Sequence, residues 1–147
     1  MKTTLTIQES IELIKRGVSA DKASMVCMDF NGTYAYVCGD EEQTVRYCVN
    51  DQFYVEENRV FTLADLFSLL PKEIDVDFSN ADGGIDTEDC CLCTQWCING
   101  DYADNHQWCV FYTPGFQVVG DSCAKDLIDA LYKCLIWAID HNHVKLG

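Results

Sequence analysis

The sequence predicts a single α+β domain in which two or three helices pack on a mainly antiparallel β-sheet, and three observations predict it. A capped amphipathic run, "TIQESIELIKRG", opens the chain; Asn31-Gly32 sits between two β-branched and aromatic runs; and a long run with an apolar face, "SCAKDLIDALYKCLIWAIDHNH", closes it. Helical and strand periodicities fall in blocks rather than in strict alternation, which is the pattern of an α+β chain.

Taken in order, Thr6 and Glu9 make a capping box, Ile7, Ile11 and Ile14 recur at i, i+4 and i+7, and Gly17 supplies the left-handed stop. Ser19 offers a second N-cap for a short helical turn from Ala20 to about Met25. The stretch "VCMDFNGTYAYVC" reads as a β-hairpin, because Asn-Gly accepts the positive φ of a type I′ turn. "TVRYCV" and "QFYVE" read as further short strands. In "FTLADLFSLLP", Thr62 caps a short helix, Asp65 lies near its positive end, Leu63, Leu66, Phe67 and Leu70 form its apolar stripe, and Pro71 ends it. "IDVDF" alternates apolar and acidic residues as a strand with one wet face. "CCLCTQWCI" and "WCVFY" flank the turn-rich "NGDYADNHQ" and read as an antiparallel pair. The last helix is expected to open at Ser122, bury Leu127, Ile128, Leu131, Leu135 and Ala138, and carry an Asp129–Lys133 pair on its wet side.

Composition narrows the function. The 147 residues suffice for one core without metal or disulfide staples. With 24 acidic and 10 basic residues the formal charge is −14 and the pI about 4.3, so direct contact with nucleic acid or an anionic membrane is disfavoured. The start "MKTTLTIQES" has no apolar core of a signal peptide, and the longest apolar run is Cys134–Ile139, too short to span a bilayer. Ten cysteines in such a chain are expected to be free thiols in a reducing cytoplasm.

The sharpest chemical candidate is "EDCCLCTQWC". Cys90 and Cys93 have C-x-x-C spacing, Cys97 follows, and His106 lies in the adjoining loop, so a Cys3His zinc site is chemically available. Against it, an extended strand puts Cys90, Leu92, Thr94, Trp96 and Ile98 on one face and Cys91, Cys93, Gln95 and Cys97 on the other. Cys90 and Cys93 then cannot share an ion, and Cys91 and Cys93 stand about 7 Å apart, too far for a disulfide. A metal on Cys90, Cys93 and Cys97 would exclude a regular strand over 90–97. Cys27, Cys38, Cys48, Cys109, Cys123 and Cys134 all occupy positions suited to a small hydrophobe, so packing is the favoured reading and no metal, cofactor or catalytic residue is expected.

Three weaker signals resolve similarly. "FSNADGGIDTED" resembles a calcium loop but begins at Phe78, ends at Asp89 and leaves a strand, so it reads as an acidic surface loop. "HNH" at 141–143 reads as a helix terminus, where His141 and His143 meet the negative dipole end. Trp96, Trp108, Tyr102 and His106 read first as aromatic packing around the hairpin and second as a partner-binding edge.

"RGVSADKASMV", "VFTLADLFSLLPKEI" and "KDLIDALYKCLIWAIDHNHVK" together resemble a group of uncharacterised small proteins from phages, prophages and mobile elements of gut Bacteroidales. The likeness covers the helices and leaves the cysteine-rich hairpin outside. It implies a cytosolic host setting and carries no site residues. The expectation is a non-enzymatic cytosolic accessory factor that binds a host or phage protein through its acidic surface or an aromatic edge. Two alternatives stand beside it: an acidic DNA mimic that inhibits a host nucleic-acid enzyme, and a small zinc protein using Cys90, Cys93, Cys97 and His106.

Overall fold

The first helix, α1 (Ile7–Lys15), begins at the capping box its sequence predicts: Thr6 Oγ1 accepts from the Glu9 amide at 3.1 Å, and Glu9 Oε1 from the Thr6 amide at 3.0 Å. It ends in a Schellman pair, the Gly17 amide donating to Ile14 O and the Val18 amide to Leu13 O, with Gly17 at φ +106°. The computed structural model describes residues 2–30, 33–38, 59–98 and 106–146. By contact these divide into two compact units, Met1–Phe67 with Lys145–Gly147, and Ser68–Val144. Helices and antiparallel sheets build them, as an α+β chain requires.

In the first unit, a 3-10 turn (Ala20–Lys22) capped by Ser19 leads into β1 (Met25–Phe30), which pairs with β2 (Thr33–Cys38). Phe30 faces Thr33 across the two-residue connection, the register an Asn-Gly hairpin predicts. On its other side β1 pairs with β3 (Arg59–Val60), giving the order β2-β1-β3. The strands expected at "TVRYCV" and "QFYVE" lie outside the described residues. The second helix, α2 (Leu63–Leu69), is capped reciprocally by Thr62 and Asp65, and Asp65 Oδ2 also takes the amide and hydroxyl of Ser24.

The buried face of α1 differs from expectation. Ser10 and Leu13 are fully buried, while Ile7, Ile11 and Ile14 are half-buried. The inward direction is set by a backbone need: Ser10 Oγ accepts the Phe61 amide at 3.3 Å inside a core of Leu5, Leu13, Val60, Phe61 and Leu66. Phe67, expected in the apolar stripe of α2, is 37% exposed.

The second unit is an antiparallel meander, β4 (Glu73–Ser79), β5 (Ile85–Ile98), β6 (His106–Thr113) and β7 (Val119–Ala124), in sequence order. The third helix, α3 (Leu127–Asp140), packs on β6 and β7 and buries Ile128, Ala130, Leu131, Cys134, Leu135, Ala138 and Ile139. Two boundaries correct the sequence reading. The acidic stretch Ile85–Asp89 is strand rather than loop, held by the ladder to β4 from Ser79↔Ile85 to Glu73↔Cys91. Ser122 lies in β7 rather than capping α3, which starts five residues later with Asp126 as N-cap. Lys133 Nζ reaches back to the carbonyl of Cys123 at 2.9 Å.

Candidate functional site

Strand alternation sorts the side chains of this meander onto two faces. Toward α3 go Ile74, Cys90, Val110, Tyr112 and Ser122, all buried. Tyr112 donates its hydroxyl to Pro71 O at 2.6 Å, and burial raises its phenol well above the ordinary range. Burial also pushes the Cys134 thiol up to about 12, and raises Cys90, where Asp89 and Glu88 add to the effect. These two cysteines behave as the small hydrophobes the sequence suggests.

The opposite face is where the remaining cysteines of the meander collect. Cys97 on β5, Cys109 on β6 and Cys123 on β7 come from three adjacent strands: Cys109 pairs directly with Cys123, and Cys97 is diagonal to Cys109, whose own partner on β5 is Gln95. Cys109 and Cys123 are joined by a disulfide across a Cα separation of 4.2 Å, the close spacing of a non-hydrogen-bonded antiparallel pair. The Cys97 sulfur lies 3.0 Å from that of Cys109, and Cys97 is a free thiol. The expectation of free thiols at Cys109 and Cys123 is corrected here. Direct register, which no sequence spacing reveals, brings them together.

Asp121 completes the group. In β7 the register slips between the Val110↔Ser122 and Tyr112↔Val119 pairs, so that Gly120 and Asp121 together face Phe111. Gly120 sits at φ +65°, the glycine-led bulge that lets a strand absorb one extra residue. After it, Asp121 and Cys123 share a face, with Cys123 Sγ 3.5 Å from Asp121 Oδ1. One donor atom from each of Cys109, Asp121 and Cys123 lies within 4.8 Å of the others.

The Cys90, Cys93, Cys97 and His106 set is not brought together. Cys90 is buried on the helix side, whereas Cys93 and Cys97 lie on the other face. Cys90 and Cys97, seven residues apart on one strand, are separated by about 23 Å. The His106 ring stacks on Trp96 at 5.4 Å, with Trp108 at 5.2 Å from Trp96, so the aromatics pack across the hairpin while Trp96 stays 50% exposed.

The acidic residues also gather. Along β4, Glu73, Asp75 and Asp77 point outward at every second position, and Asp75 is paired directly with Asp89 of β5. Glu73, Ile74, Asp75 and Asp89 line a shallow depression of about 400 Å³. The calcium-like segment is a tight turn instead: Asn80 Oδ1 accepts the amides of Asp82 and Gly84, and Gly83 takes φ +79°. At the chain's end, "HNH" closes α3 as expected. His141 Nδ1 lies 2.8 Å from Trp137 O, and both His141 and His143 stack on the Trp137 ring.

Among the described residues no helix is long and apolar enough to cross a membrane. No family model, no curated protein and no solved structure matches the chain.

Proposed function

We propose that this chain is a cytosolic protein-binding accessory factor that takes a lysine- and arginine-rich segment of a partner protein on Glu73, Asp75, Asp77 and Asp89. One observation carries the reading: Asp75 and Asp89 stand directly opposite each other on neighbouring strands. Like charges at that position cost stability, and a basic side chain laid between them relieves the cost. Glu73 and Asp77 extend the row to either side, and among the described residues no ion pair to Glu73, Asp75 or Asp89 is formed. The helix resemblance to phage and mobile-element proteins supports a host cytosol as the setting.

A DNA mimic is the special case in which the basic segment is the nucleic-acid site of a host enzyme. Immobilised protein is presented with a defined lysine- and arginine-rich peptide and, separately, with host cytosol. Capture that declines with added salt and is lost in a Glu73→Gln, Asp75→Asn, Asp89→Asn variant supports the reading. Capture insensitive to both salt and variant defeats it. Competition by duplex DNA for the captured partner singles out the mimic.

A further inference from the structure

We infer that the open face of the β5–β6–β7 sheet carries a redox-gated binding site for a thiophilic divalent cation of the zinc class, with Cys109, Asp121 and Cys123 as ligands and a fourth position open to water. The site is independent of the acidic row on β4. Each ligand is placed by the backbone. Direct pairing sets Cys109 beside Cys123, and the Gly120 bulge puts Asp121 on the same face.

The donor set has the right chemistry. Zinc takes four ligands tetrahedrally, with Zn–S about 2.3 Å, which places donor atoms about 3.8 Å apart. Here the donor atoms of Cys109, Asp121 and Cys123 fall within 4.8 Å of one another, and water takes the fourth position. Small side-chain rotations then suffice, with the strands unchanged. Two thiolates and a carboxylate are also a dense negative charge, which a dication offsets.

The disulfide is the gate. With Cys109 and Cys123 bonded, neither sulfur is a thiolate and only Asp121 remains as a donor. An external dithiol reduces the bond: its two sulfurs become a disulfide, and its two electrons and two protons leave Cys109 and Cys123 as thiols. The cation then binds as the thiols of Cys109 and Cys123 release two protons, and an external disulfide reverses this: it takes two electrons from the Cys109–Cys123 pair and two protons from water, leaves as two thiols, and the re-formed Cys109–Cys123 bond releases the cation. Bound metal conversely ties up both sulfurs and protects them from oxidation.

The test uses the full chain, reduced with a dithiol or kept oxidised, dialysed against Zn(II) and assayed for bound metal and for protection from alkylation. The reduced protein is expected to retain one equivalent of zinc, which shields Cys109 and Cys123 while leaving Cys91 and Cys93 reactive, and the oxidised protein to retain none. Asp121 is exposed, so Asp121→Asn tests the site without threatening the fold and is expected to weaken zinc by at least about tenfold. Cys93→Ser should leave affinity unchanged. The inference is overturned if reduced protein retains no stoichiometric zinc, if oxidised and reduced forms retain it equally, or if Asp121→Asn leaves affinity unaltered. It is equally overturned if protection falls on Cys93 rather than on Cys109 and Cys123.

Discussion

At the scale of single residues, Gly120 combines two constraints. Its φ of +65° is costly for any residue with a Cβ, and a Cβ built there meets the Trp137 ring at 2.6 Å. Gly120→Ala therefore adds left-handed strain to an overpacked contact, and the expected loss is about 2–5 kcal/mol, read from urea denaturation. A loss under about 0.5 kcal/mol would mean that the bulge relocates. His143 makes a pH-dependent contribution. Burial, and the neighbouring charge of His141, hold its imidazole below the ordinary 6.5. The native state then binds fewer protons than the unfolded chain, so its contribution is fully present above about pH 6.5 and is lost as pH falls through the lowered value. Relative to wild type, His143→Gln should lose less stability between about pH 7.5 and about pH 5.5. Equal losses in both proteins would show that the imidazole is as wet when folded as when unfolded.

At the scale of elements, the ends of α1 were legible and its buried face was not. The capping box of α1 and its Gly17 stop rest on residues three to five positions apart, and local chemistry alone selects them. The face of α1 was misread because Ser10 is drawn inward by the Phe61 amide, 51 residues away. The end of α3 hid a second device. Asn142 takes φ +61°, its amide donates to Ile139 O, and the His143 amide donates to Ala138 O, making a Schellman motif with asparagine where glycine is usual. Thermal denaturation should find Asn142→Gly neutral or slightly stabilising and Asn142→Ala destabilising by about 1 kcal/mol. The strand β7 was missed for a related reason. "VGDSC" carries a helix-capping serine and a glycine that breaks alternation, and only its ladder to β6 makes it a strand.

At the scale of the whole molecule, 24 acidic residues against 10 basic ones leave the folded chain repelling itself. Added salt screens that repulsion, so the urea midpoint should rise from low to physiological ionic strength, with fluorescence of the three tryptophans as one readout. A falling midpoint would mean that ion pairs such as Lys2–Glu9, at 2.7 Å, outweigh the repulsion. In that pair, partial burial pushes Glu9 upward, yet the Lys2 ammonium and the Thr6 amide prevail and hold its carboxyl below the ordinary value.

By itself the sequence determined the α+β class, the caps of α1 and α2, the Asn-Gly hairpin, and the alternation that splits Cys90 from Cys93, because each depends on neighbours in the chain. Tertiary structure alone decided which cysteines meet. Cys97, Cys109 and Cys123 share no motif spacing; they converge because strand register and one glycine bulge align three strands, and register is a property of pairing rather than of any strand alone. A metal was incompatible with a regular strand only while its ligands were sought along "EDCCLCTQWC". Drawn from across the sheet, the ligands leave that strand intact.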